Sequence, residues 1–208
     1  MKSRFLGVLV ALLLSVSWAG FAHAESRPKP MDFVKAQHKS LMSILERKVS
    51  AENAAQRAAD LRAVISALVD YDDLAIRSLG KHWDERTAEE KTEYQALFRE
   101  LVELTYVDRL GSKNPDAEYK VDWDSEQVKG KFSHVICFVL YEDTETELEF
   151  VLVEKGESGY LMNNLLIDGA SIEDTYHRKY SEQIEKEGYA SLVAQMKERI
   201  AELKKKMP

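Results

Sequence analysis

Apolar residues Phe33, Leu41, Ile44 and Leu45 recur at loosely helical spacing over 31–48. Leu61, Val64, Ile65 and Leu68 form one stripe of a second amphipathic segment, 52–68. Asp70 is placed to cap a short helix over 71–78, and Gly80 suits its C-terminal stop. Thr87-Ala88-Glu89-Glu90 is a capping box: the threonine hydroxyl can accept from the Glu90 amide while the Glu90 carboxylate accepts from the Thr87 amide. A long helix is predicted from there to about Leu110. Its broad apolar face carries Tyr94, Leu97, Phe98, Leu101, Val102, Thr105 and Tyr106, with Glu93, Arg99, Glu100 and Glu103 outside.

Beyond 111–115 the period falls from near 3.6 to 2. Tyr119, Val121 and Trp123 alternate with Lys120, Asp122 and Asp124, as in a half-exposed strand. Over 132–141 apolar residues occupy both faces, which predicts a strand covered on both sides. Segments 148–153 and 160–167, joined by a turn at 155–159, extend an antiparallel set, and the acidic run 142–149 reads as a solvated hairpin. Helices over 172–186 and 189–205 close the chain. Lys204 to Lys206 sit in the last turn, where cations meet the negative end of the helix dipole. The fold class is therefore α+β, with helices packed against one curved antiparallel sheet.

The start of the chain stands apart from this pattern. Lys2 and Arg4 precede a stretch, Leu6 to Val16, that is apolar but for Gly7 and Ser15, and Ala22-His23-Ala24 is a small-x-small cleavage pattern. A secretory signal peptide over 1–24, cut after Ala24, is expected, leaving one domain over 25–208. An uncleaved anchor over 5–22 is the rival, disfavoured by Ser15, Ser17 and Gly20. Cleavage removes Lys2 and Arg4 and takes the formal net charge from -7 to -9. No basic nucleic-acid footprint is left, and charge alone would not draw the protein to anionic lipid. Cys137 is the only cysteine, so no internal disulfide forms. Its apolar strand context marks it as a buried hydrophobe rather than a nucleophile.

Candidate chemistry is sparse. His38, His82, His134 and His177 show no zinc spacing with one another or with Cys137, and there is no G-x-S-x-G, phosphate loop or dinucleotide fingerprint. In "LGKHWDERT", 79–87, Trp83 is expected to point inward while His82, Asp84, Glu85 and Arg86 decorate a solvated loop. Asp174 and His177, three apart on a helix, are spaced for a surface ion pair, and His134 interrupts an apolar strand face as a core or rim residue. No nucleophile, base and orienting group come together, which argues against an enzyme and calls for no metal and no cofactor.

The segments "VDYDDLAIRSLGKHWDERTAEEKTEYQALFRELVELTYVDRL" and "NNLLIDGASIEDTYHRKYSEQIEKEGYASLVAQM" resemble the MlaC family, also called toluene-tolerance or Ttg2-type auxiliary proteins. The elements that carry the resemblance are Asp70-Tyr71, Leu79-Gly80, Trp83, Thr105-Tyr106, Gly169-Ala170-Ser171 and Gly188, in that order across about 70–196. The resemblance implies a nuclear-transport-factor-like α+β fold with an apolar cavity. It also implies a periplasmic phospholipid-binding carrier serving outer-membrane lipid asymmetry. Its partners would be an inner-membrane ABC transporter complex and an outer-membrane lipoprotein–porin complex. Asn164, Tyr160 and His177 (with Arg178 beside it) depart from the aspartate, tryptophan and arginine common in the family, which leaves the headgroup contact open and leaves room for another lipid such as a hopanoid.

Within that reading the lipid-contacting candidates are Leu74, Leu79, Phe98, Leu101, Val102 and Tyr106 from helices, with Val139, Phe150, Leu152, Leu165 and Ile167 from strands. Tyr106 could also bond a headgroup oxygen. Periodicity does not separate a cavity wall from a packed core. Two alternatives stay open: an exported adaptor binding proteins through its acidic surface, and a hydrolase using His177 with Asp174 or Glu173.

Overall fold

The computed structural model describes residues 28–112, 118–155 and 159–207. The expected signal peptide, most of the 111–115 loop and the centre of the 155–159 turn lie outside these residues. Helices α1 (Pro30–Leu45), α2 (Ala54–Leu68), α3 (Tyr71–Leu79) and α4 (Ala88–Gly111) come first. Strands β1 (Tyr119–Lys129), β2 (Phe132–Tyr141), β3 (Thr144–Val153), β4 (Leu161–Ile167) and β5 (Ala170–Ser171) follow, then α5 (Ile172–Glu187) and α6 (Tyr189–Lys206). The strands form one open sheet in chain order, each antiparallel to its neighbour. This is the expected α+β class.

Two bodies of side chains organise the molecule. Helices α3 to α6 close around Leu79, Tyr94, Phe98, Leu104, Tyr180 and Leu203, all buried. The rings of Tyr94, Phe98, Tyr176 and Tyr180 lie 5.3–6.4 Å apart, within the range of tilted and edge-to-face aromatic packing. α4 and α6 run side by side in one direction, tied by Lys197–Glu93 at 2.6 Å and Lys204–Glu100 at 2.7 Å. α1 and α2 instead lie over the inner face of the sheet. Phe33 and Val34 pack on Val135, Leu152 and Tyr160, and Ile44 packs with Leu61, Ile65 and Val107.

The capping box forms as the sequence indicates, Thr87 N donating to Glu90 Oε2 at 2.9 Å and Glu90 N to Thr87 Oγ1 at 3.2 Å. Four expectations about the helices and strands are corrected. Asp70 occupies the N-cap position of α3 but makes no capping bond; its carboxylate accepts from Lys155 Nζ at 2.9 and 3.1 Å. Glu103, placed outside by the α4 pattern, is buried, because Arg62 of α2 donates to it at 2.6 Å. The acidic run is a tight turn only at Glu142 and Asp143, and Thr144 onward is strand. Finally, β2 is covered on one face. Val135, Cys137 and Val139 face the helices, with α1 packed on that side, while Ile136, Phe138 and Leu140 stay half-buried on the other. Their cross-strand partners are Glu149, Glu147 and Glu145, so this face of the sheet interleaves apolar and acidic side chains.

The "LGKHWDERT" stretch is a joint between helices. Gly80 ends α3 at φ +52°, a backbone that favours glycine, and a Cβ there would press on the exposed ring of His177, which would have to swing aside. That contact, not a bond to Asp174, is what His177 makes with the fold. His82 is buried rather than solvated, with Nδ1 3.4 Å from Glu85. Trp83 is half-buried under Lys91, and Arg86 lies over the Tyr189 ring while donating to His82 O at 3.2 Å. His134 bonds Glu149 at 2.6 Å on the outer sheet face.

Candidate functional site: an apolar hollow between sheet and helices

Strand register sets one wall. Pairings Trp123↔Cys137, Cys137↔Leu148 and Leu148↔Ile167 align one row of inward side chains, and Val135↔Phe150 and Phe150↔Leu165 align the next. Facing them are Leu41, Met42 and Leu45 of α1, Val64, Ile65 and Leu68 of α2, and Val102 and Tyr106 of α4. Beyond the contacts of Phe33, Val34 and Leu68 these two layers stay apart. Between them lies a cavity of about 670 Å³, within the roughly 300–1,000 Å³ typical of small-molecule sites. The incomplete filling shows in the burial pattern: Val139, Leu148, Phe150, Leu165, Leu41 and Val64 all point inward yet are only half-buried.

The hollow has a floor and a mouth. Val34, Val69, Leu74 and Cys137 line it and are fully buried, whereas Glu46, Arg109, Tyr119 and Thr144 line it and are exposed. It therefore opens beside the C-terminal ends of α1 and α4 and the β2–β3 turn.

A few polar groups punctuate this surface. His38 of α1 lies 3.0 Å from the Tyr119 hydroxyl and edge-on to Trp123, joining α1 to the edge strand. Burial lowers the His38 pKa, opposed by the nearby Glu46 charge. Burial also pushes the Tyr119 hydroxyl up to about 12 and the Cys137 thiol up to about 11, so the thiol is protonated at neutral pH and a poor nucleophile. Arg57, at the start of α2, is 6% exposed and donates to Ile44 O at 3.2 Å and Leu45 O at 3.3 Å. Among the described residues no three His, Cys, Asp or Glu side chains group as metal ligands would.

Seven of the eleven sequence candidates line the hollow: Leu74, Val102, Tyr106, Val139, Phe150, Leu165 and Ile167. The other four lie in packed clusters: Leu79, Phe98 and Leu101 among α3 to α6, and Leu152 beneath α1. The α1 wall, with Leu41, Met42 and Leu45, was not singled out from the sequence. Its apolar spacing was legible; which layer it faced was not. Asn164 also lines the hollow, and its amide is engaged at the start of α5, Oδ1 accepting from Glu173 N at 3.2 Å and Nδ2 donating to Ser171 Oγ at 2.9 Å.

Helices laid over one antiparallel sheet, with an unfilled apolar interior open at one end, define an α+β cavity protein. The chain belongs to the MlaC family, whose model, described as MlaC protein, matches residues 35–198. Its fold is similar to that of a phospholipid-binding protein from Ralstonia solanacearum, solved in complex with a phospholipid. The TM-score is 0.71 over 85% of this chain and 99% of that one, at 18% identity. No curated protein matches the sequence.

Proposed function

We propose that this protein is a periplasmic phospholipid carrier, exported by a signal peptide over 1–24 that is removed after Ala24. It takes up the acyl chains of a phospholipid in the hollow and moves them between an outer-membrane lipoprotein–porin complex and an inner-membrane ABC transporter complex, maintaining outer-membrane lipid asymmetry. It catalyses no reaction. The observation that carries this reading is the open apolar hollow of about 670 Å³. Membership of the MlaC family and the likeness in fold to the Ralstonia phospholipid complex support it.

The energetics fit a carrier. Burying acyl chain gains about 0.8 kcal/mol per CH₂, roughly 12 kcal/mol for a sixteen-carbon chain. A bilayer offers the same gain, so the hollow need only match it and remove the cost of crossing water. The lipid contacts assigned are Leu74, Val102, Tyr106, Val139, Phe150, Leu165 and Ile167, while Leu79, Phe98, Leu101 and Leu152 hold the frame around them.

Protein purified from its own host is extracted with organic solvent and the extract analysed by mass spectrometry. Phospholipid at a fixed ratio to protein is expected. Val139→Trp, which places an indole in the hollow, should lower that ratio severalfold at unchanged far-ultraviolet circular dichroism. Protein that carries no amphiphile, or a lipid ratio indifferent to Val139→Trp, would overturn the assignment.

A further inference from the structure

Arg57 is the only arginine among the described residues that is fully buried, and it meets no carboxylate. Arg47, Arg62, Arg77, Arg86 and Arg199 each do: Asp60, Glu103, Asp73, Glu85 and Glu202 are their partners. A buried charge without a counterion is costly, by several kcal/mol in general terms. Part of that cost is offset by helix ends. Nε and Nη2 of Arg57 donate to the last carbonyls of α1, and Nη1 lies beside Gly111 at the C-terminal end of α4, so two negative dipole ends converge on the guanidinium. Dipoles are not a full counterion, however, and the Nη1 edge has no hydrogen-bond partner among the described residues. The same side chain lines the hollow.

Arg109, exposed at the mouth with its guanidinium 5.6 Å from the Tyr106 ring centroid, also lines the hollow and makes no ion pair among the described residues. The Tyr106 hydroxyl belongs to the same wall, and burial keeps it protonated and able to donate. Glu46 is the one acid on the lining, on the exposed rim. Two cations and a phenol thus stand where an amphiphile's polar end would sit if its tails occupied the floor.

We propose that Arg57, with Arg109 and the Tyr106 hydroxyl, forms an anion site just inside the mouth that holds the phosphate group of the lipid. This rests on the carrier reading and adds to it. The protein recognises a phosphorylated amphiphile, not apolar chains alone. A planar guanidinium fork suits phosphate oxygens, and its water-poor setting strengthens the bond.

The test uses the full mature protein, stripped of lipid, and two ligands with identical tails: dipalmitoyl phosphatidylglycerol and dipalmitoylglycerol, which lacks the phosphate. A preference of roughly tenfold or more for the phosphorylated lipid is expected, as one charge-assisted bond in a buried site gives. Arg57→Met should erase that preference by weakening the phosphorylated lipid alone. Arg109→Met, at an exposed position where folding is not at stake, should reduce it in the same sense. Equal affinities in the unaltered protein would overturn the anion site while leaving the carrier reading intact, whereas binding of neither ligand would sink the carrier reading itself. Arg57→Met weakening both lipids alike would make the residue a helix cap only. Should that variant fail to fold, undiminished preference in Arg109→Met overturns the proposal. Inorganic phosphate at millimolar concentration should displace neither lipid; displacement of the phosphorylated one would assign the site to free phosphate instead.

Discussion

The half of the molecule built from α3 to α6 and the half built from α1, α2 and the sheet both turn apolar faces inward, and their interiors are opposite. In the first, Tyr94, Phe98, Leu79 and Leu203 are at zero exposure and side chains interlock from four helices. In the second, Val139, Leu148, Phe150 and Leu165 point inward and remain half-exposed because no side chains fill the space they enclose. The difference lies in how closely the layers approach. Four helices can approach until their side chains mesh. α1 and α2 are held off the sheet at their ends instead, by Phe33 and Val34 at one and by Ile44, Leu61 and Arg57 at the other. A solid frame beside a suspended roof leaves an apolar hollow between roof and sheet.

Paired truncations break or sharpen that comparison. Phe98→Ala opens a void in the solid half and should cost about 3–5 kcal/mol in urea unfolding, whereas Phe150→Ala enlarges an existing space and should cost about 1 kcal/mol. Equal costs would mean that the hollow half is packed as tightly as the frame. A smaller effect is expected at the joint between α3 and α4. Gly80→Ala should lose about 2 kcal/mol, from its positive φ and from the clash with His177. Adding His177→Ala should restore only the clash component, and full restoration would show that the backbone carries no strain.

The smallest effect concerns acidity. Burial lowers the His38 pKa in the fold, with the Glu46 charge opposing, so folding favours the neutral ring. Its contribution is intact above the free-chain value of about 6.5 and is lost as pH falls through that value toward the lower folded pKa. Thermal melts between about pH 8 and pH 5 should show a shallower decline for His38→Gln than for the unaltered protein; parallel declines would remove His38 from the account.

The chain's pattern made the frame readable and the hollow only partly so. The Thr87–Glu90 box marked the start of α4, and the change of period at Tyr119 marked the sheet, since both signals are local. What a face meets is not local. Leu101 and Val102 are neighbours about 100° apart around α4, and one packs among helices while the other looks into the cavity. The two-faced apolar run of β2 suggested a second covering layer, but its outer face pairs with the glutamates of β3 and carries no such layer among the described residues. Arg57 carried no sequence signal, because its burial comes from the meeting of α1, α2 and α4.

β1 closes one side of the sheet with eleven residues and has no neighbouring strand on its outer side among the described residues. Such a border invites pairing with a foreign chain and, from there, clumping. Here the register slips between Trp123 and Ser125, and Lys120, Asp122 and Asp124 stand exposed along it. A kinked, charged border cannot template a long straight ladder. The same strand that walls in a greasy space is thereby kept from gluing one copy of the protein to the next.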